Sequence, residues 1–285
     1  MDAKGTLTPA KSANRLNTLL KVFHTAHGGD RFPVDVDKLA YDAHEIFGWS
    51  DPITKIQEVE LDGFEGMLAS DDRQKRWMIA YNPALTSQGR VRFTKAHELG
   101  HYILHRHAQA EFRCTREDML NWGAGGGIES EADRFASYLL MPLDDFREQA
   151  TGPINLDMFS HCADRYGVSL TAAILKWLSY TDQKAVLVVS NDGFINWASS
   201  SDPAHSAGAY FKTRNNVIEI PEASLTADAS IRTNVNGAKI SAKTWFEYAD
   251  TDADLTEMKL YSDRYDSTLT LLLLPQYADF TRPRF

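Results

Sequence analysis

The sequence has few of the features that would set it apart from ordinary globular proteins. Of its 285 residues only two are cysteines, Cys114 and Cys162. Two thiols cannot form a disulfide framework, and neither stands in a paired metal-binding spacing. Long apolar runs are absent as well. Leu271 to Leu274 is the longest near the end, far short of the ~20 residues a membrane-spanning helix needs. The opening Met-Asp-Ala-Lys-Gly has no apolar stretch behind it, so no signal peptide is expected and the cytoplasm is the expected location. Positive charge is in deficit: 30 Lys and Arg stand against 39 Asp and Glu, a net charge of -9. Phosphate affinity comes from clustered Lys and Arg, so general nucleic-acid binding is not expected. There is no internal repeat. What remains is an ordinary balance, 43% hydrophobic and 24% charged, in a chain long enough for two domains and a small third.

The pattern changes along the chain. After a loose tail over residues 1 to 11, Ser12 is a candidate N-cap for a helix carrying Leu16, Leu19, Leu20 and Phe23. A second helix opens near Asp35 and ends at Gly48. Strands are expected over Ile53 to Leu61, Gly66 to Ala69 and Trp77 to Tyr81, with a turn at Asp71-Asp72. Helical period returns over Arg92 to His107 and again over Ile128 to Met141, stopped by Pro142; the Gly123 to Gly127 stretch between them is a loop. Two short helices joined at Tyr166-Gly167-Val168-Ser169 are expected within residues 156 to 180. The remainder is strand-like: a hairpin of Ala185 to Ser190 and Phe194 to Trp197 around Asn191-Asp192-Gly193, then Val217 to Ile220, Thr244 to Tyr248 and Leu269 to Leu274. The fold class is α+β, with domains at 1–150, 151–182 and 183–285.

The chemistry concentrates in His97-Glu98-Leu99-Gly100-His101. Residues four apart on a helix share a face one turn apart, so both imidazoles can converge on one Zn²⁺. Glu98 sits beside them, within reach of a water to be activated. A catalytic zinc keeps three protein ligands and one open position. The third ligand is sought in Glu129-Ser130-Glu131-Ala132-Asp133, on a helix whose apolar stripe is Ala132, Phe135, Ala136, Leu139 and Leu140. Glu129 and Asp133 share a face. Glu129 can therefore ligate while Asp133 receives an N–H from a ligand histidine. Glu131 points elsewhere and is the weaker candidate. His105 reads as a core or orienting histidine rather than a ligand. Cys114 reads as inert, since the ligand set is already filled.

Two segments carry a resemblance. Arg92-Phe93-Thr94-Lys95-Ala96-His97-Glu98-Leu99-Gly100-His101 with Leu104-His105, and Glu129-x-x-Ala132-Asp133-x-Phe135-Ala136-x-x-Leu139-Leu140-Met141-Pro142, resemble the ImmA/IrrE family of metallopeptidases, over about residues 12 to 180. The resemblance implies a zincin-like peptidase domain, with His97, His101 and Glu129 as zinc ligands and Glu98 as general base. It implies helix-turn-helix transcriptional repressors as substrates, cleaved to switch on stress, DNA-damage or mobile-element genes. Some members carry a helix-turn-helix-like unit and a GAF-like domain after the peptidase. Ala163 to Leu170 is similar to a helix-turn-helix joint, and the strand-rich remainder is the candidate for the GAF-like sensor. Direct DNA binding is not expected, because Lys176 is the only positive residue on the second helix of that unit. An extended substrate is expected to add as a strand along an edge near Trp77 to Tyr81.

Two rival readings accompany the peptidase. One is a zinc-containing regulatory module that binds a repressor without cutting it; the presence of Glu98 argues for catalysis. The other is a sensor whose C-terminal aromatics, Phe194, Trp197, Tyr210 and Phe211, bind a small ligand, although an ordinary core explains them more simply.

Overall fold

The computed structural model describes residues 7–71, 73, 75–85, 87–115 and 127–282. The Gly123 to Gly127 loop, Gly127 apart, and Asp72 of the expected turn lie outside them. The chain divides into two compact units, residues 1–148 with 162–169, and residues 149–161 with 170–285.

The first unit is built from helices α1 (Pro9–His27) to α5 (Leu143–Gln149) and strands β1 (Ile53–Glu58), β2 (Gly66–Ser70), β3 (Trp77–Tyr81) and β4 (Glu111–Cys114). Helix α1 starts three residues before the expected Ser12. Thr8 is the cap, its hydroxyl accepting from the Lys11 amide, and Pro9 occupies the first turn, where its missing N–H costs nothing. Asp35 caps α2 (Val36–Phe47), and Gly48 ends it in the left-handed conformation. Helix α3 (Gln88–His105) likewise begins earlier than its apolar period, because Ser87 supplies the capping oxygen.

The sheet order is β1-β3-β2-β4. Strand β3 is parallel to β1 and antiparallel to β2, and β4 is antiparallel to β2. This corrects the expectation of a substrate edge at Trp77 to Tyr81. Both sides of β3 are already hydrogen-bonded, and the outer strands are β1 and β4. Helix α3 packs on β2, β3 and α4 (Ile128–Leu140). Gly100 makes the helix pairing close: a Cβ there would lie 3.0 Å from the Phe135 ring and 3.2 Å from the Ala132 Cα. Leu68, Ile79, Phe93, Leu99, Ala132, Phe135 and Leu139 are buried.

In the second unit, helix α6 begins at Leu156 and α7 spans Leu170–Leu178. Five antiparallel strands, β5 (Ala185–Asn191), β6 (Phe194–Ser200), β7 (Thr233–Ser241), β8 (Asp254–Ser262) and β9 (Ser267–Leu273), are ordered β6-β5-β9-β8-β7. Asp192 and Gly193 both take positive φ (50° and 82°) in the β5–β6 turn, as a two-residue hairpin requires. Short helix α8 (Asp202–Ser206) follows β6. Val188, Ile195, Trp245, Phe246, Leu255 and Leu272 belong to its core.

Two strand expectations fail here. Val217 to Ile220 makes only one bridge, Glu219 to Phe194, and Val217 is 82% exposed. Thr244 to Tyr248 lies in a tight turn: Trp245 and Phe246 amides donate back to the Ala242 carbonyl. Its aromatic content satisfies burial without strand pairing, helped by the Trp245 indole, which donates to buried Glu257.

Candidate metal centre

Helix α3 turns a polar face inward. Thr94, His97, Glu98 and His101 are all 0% exposed, and His105 is nearly so. A helix with solvated histidines is thereby excluded. His97 Nε2 and His101 Nε2 lie 3.0 Å apart. From α4, Glu129 Oε2 stands 3.1 Å from the first and 3.2 Å from the second. From β4, Cys114 Sγ stands 3.5 Å from His101 Nε2. The four donor atoms fall within 4.8 Å of one another and could hold a metal ion.

The outer hydrogen bonds fix what these atoms present. His97 Nδ1 pairs with Asp133 Oδ1 at 2.8 Å. A neutral His97 donating there leaves Nε2 as a bare lone pair. On the other ring, His101 Nδ1 meets His105 Nδ1 at 3.1 Å, and His105 Nε2 meets Glu131 Oε2 at 2.9 Å. With His105 donating to Glu131 and His101 donating to His105, His101 Nε2 is bare as well. Two lone pairs and a carboxylate oxygen then face one another about 3 Å apart, which only a proton or a cation between them stabilises. Burial and these bonds together set how the groups titrate. Burial on its own lowers the His97 pKa, yet bonds to Asp133 and Glu129 raise it well above the usual histidine range. Burial drives His101 down to about 4. Burial raises Asp133, countered by His97. Glu129 falls well below the usual carboxylate range because bonds to both histidines outweigh its burial.

The distances suit a tetrahedral cation. Zn–N and Zn–O bonds of about 2.0–2.1 Å give tetrahedral edges of ~3.3 Å, close to those of the His97, His101 and Glu129 triangle.

Glu98 lies next to this cluster. Burial raises its pKa to about 7, with His97 and the Cys114 thiol pulling the other way. Neither carboxylate oxygen has a geometric hydrogen-bond partner among the described residues. Space for it comes from β2. A Cβ on Gly66 would sit 2.5 Å from Glu98 Oε1 and 2.5 Å from the Thr94 methyl. Glu129, with 32% of its side chain exposed, is where the cluster meets solvent.

Every residue singled out in the sequence is therefore close to this centre: His97, His101, Glu98, Glu129 and Asp133. Glu131 is one step out, behind His105. The sequence reading took Cys114 as inert, whereas it stands in the donor group, and it did not anticipate Gly66 as the space-maker. A glycine inside a strand is itself a sign of close approach. For Cys114 the sequence holds no comparable signal.

An inward-facing His-x-x-x-His pair, an adjacent buried glutamate and an acid from the next helix define a metallopeptidase-like domain. Residues 51–178 match the family model of the IrrE N-terminal-like domain, Peptidase_M78. Comparison with curated proteins gave no match.

Proposed function

We propose that the protein is a zinc-dependent endopeptidase. His97, His101 and Glu129 hold the metal, Glu98 moves the proton, and Asp133 orients His97. The observation that carries this reading is the triangle of His97 Nε2, His101 Nε2 and Glu129 Oε2, with edges of 3.0, 3.1 and 3.2 Å. Zinc bound there would lower the pKa of water and polarise the substrate carbonyl. Both Glu98 carboxylate oxygens lack a hydrogen-bond partner among the described residues, which leaves them available to accept the proton of the attacking water and pass it to the leaving amine. Asp133 keeps the His97 proton on Nδ1, and the His105–Glu131 pair does the same for His101. Strand β4, the outermost described strand on the centre's side of the sheet, is the edge available to an extended substrate.

The substrate class we favour is a helix-turn-helix repressor whose cleavage derepresses stress, DNA-damage or mobile-element genes. It rests on the family resemblance of residues 51–178 and not on the site geometry. On α7 Lys176 is buried, which leaves that helix without an exposed cation for phosphate. A GAF-like sensing role for the strand-rich unit is carried as part of the same proposal.

The test is incubation of the zinc-loaded protein with the repressor encoded nearest its gene. Cleavage lost in Glu98→Gln, with metal content unchanged, supports the peptidase. Derepression in cells that survives Glu98→Gln would instead support a binding module that does not cut.

A further inference from the structure

We propose that Cys114 is a fourth ligand to the metal, so that the resting site is closed and hydrolysis requires the thiolate to leave. This rests on the assignment of His97, His101 and Glu129 given above.

The strand register brings the thiol to the centre. In the β2–β4 pair Cys114 lies opposite Gly66, the residue whose missing side chain makes room for Glu98. Strand β4 alternates exposed and buried residues, so Phe112 and Cys114 both face inward, and Phe112 stacks on His101 with ring centroids 4.5 Å apart. Alternation alone would bury any small residue at 114. The distance goes further. A tetrahedral site with Zn–N near 2.05 Å and Zn–S near 2.3 Å has an N···S edge of ~3.6 Å. Cys114 Sγ and His101 Nε2 are 3.5 Å apart. All four donor atoms lie within 4.8 Å of one another.

The chemistry agrees with the geometry. Zinc is soft enough to take a cysteine sulfur, and it binds that sulfur deprotonated. Two imidazoles, a carboxylate and a thiolate fill four-coordinate zinc completely, the pattern of a closed site; catalysis needs one position open. Cys114 is the last residue of β4, and among the described residues β4 is bonded within the sheet to β2 alone. Displacing it breaks few strand bonds, so a substrate or partner that pulls on this edge can open the site.

Cobalt substitution tests this without reference to activity. Co²⁺-loaded wild-type protein should show an intense near-ultraviolet sulfur-to-metal charge-transfer band, lost in Cys114→Ser while the visible cobalt bands persist. X-ray absorption of the zinc-loaded wild type, which needs no variant, should resolve one sulfur at about 2.3 Å. Zinc should bind at least tenfold more weakly to Cys114→Ala, and the variant should cleave its substrate faster than wild type. Cobalt bound with no charge-transfer band, or zinc with only nitrogen and oxygen neighbours, overturns the fourth ligand and leaves the three-ligand site standing. Failure of the wild type to take up either metal would bring down the site assignment and this inference with it.

Discussion

At the residue scale, the site depends on atoms that are absent as well as present. Gly66 has no Cβ, and one built there would meet Glu98 Oε1 and the Thr94 methyl, each at 2.5 Å. Neither neighbour can retreat without repacking, because both are fully buried. Gly66→Ala should therefore move Glu98 and cost about 1–3 kcal/mol in stability by overpacking. Activity should fall at least tenfold while bound zinc stays near stoichiometric; retained activity with an unshifted melting temperature would count against the close approach. Asp133 tests the other side of the centre. Its only described partner, His97, is 2.8 Å away. Asp133→Asn keeps the shape but can offer a donor where an acceptor is needed, which frees His97 to take the wrong tautomer. Zinc affinity should drop by about 10–100-fold, read by chelator competition.

At the scale of elements, α3 and α4 must pack closely enough for a ligand on one to meet ligands on the other. Gly100 sets that spacing. Gly100→Val gains helix propensity yet inserts branched atoms where even a Cβ is 3.0 Å from Phe135. The expected net loss is about 2 kcal/mol, with zinc affinity falling too because Glu129 is carried away; thermal unfolding and metal titration together check it. Within the first unit, Asp145 of α5 accepts from Arg165 Nε and Nη2 (2.7 and 2.8 Å) and from the Tyr166 hydroxyl (2.6 Å), both from the end of α6 (Leu156–Tyr166) that belongs to that unit. Burial pushes the Asp145 carboxyl up, but these bonds hold it below its usual value. A depressed carboxylate stabilises the fold above the unfolded-state pKa of about 3.9. That contribution is lost as pH falls through the lower folded value. Asp145→Asn should cost about 2 kcal/mol at neutral pH, a figure reduced for partial exposure. It should also flatten the loss of stability below pH 4, measured by denaturant melts across pH. These elements differ in how far the sequence announced them. The inward face of α3, the α4 stripe and the β5–β6 hairpin were legible because period and turn chemistry are local. Cys114 was not: it is 13 residues from His101 and reaches it only through the β2–β4 pairing, which no local pattern encodes. Val217 to Ile220 and Thr244 to Tyr248 had strand-like composition, but strand formation needs a partner ladder. One finds a single bridge, the other a turn.

At the scale of the whole molecule, metal binding should act on one compact unit and not on the other. The cluster draws on α3, α4 and β4, all within residues 1–148, whereas β5 to β9 lie wholly in the other unit. A divalent ion bound by these residues would tie α3, α4 and β4 to one another. A ligand that binds only the folded form adds RT ln(1 + [L]/Kd), about 4 kcal/mol when free zinc exceeds Kd a thousandfold. Stripping zinc with a chelator should therefore lower the melting temperature of the transition that unfolds the first unit. Amide hydrogen exchange locates the effect. Protection should fall in Gln88–His105, Ile128–Leu140 and Glu111–Cys114 and recover when zinc is restored. In Ala185–Asn191 and Ser267–Leu273 it should be unchanged. Equal loss in both sets of segments would mean that the cation supports the molecule generally, and the assignment of its ligands to α3, α4 and β4 would have to be abandoned.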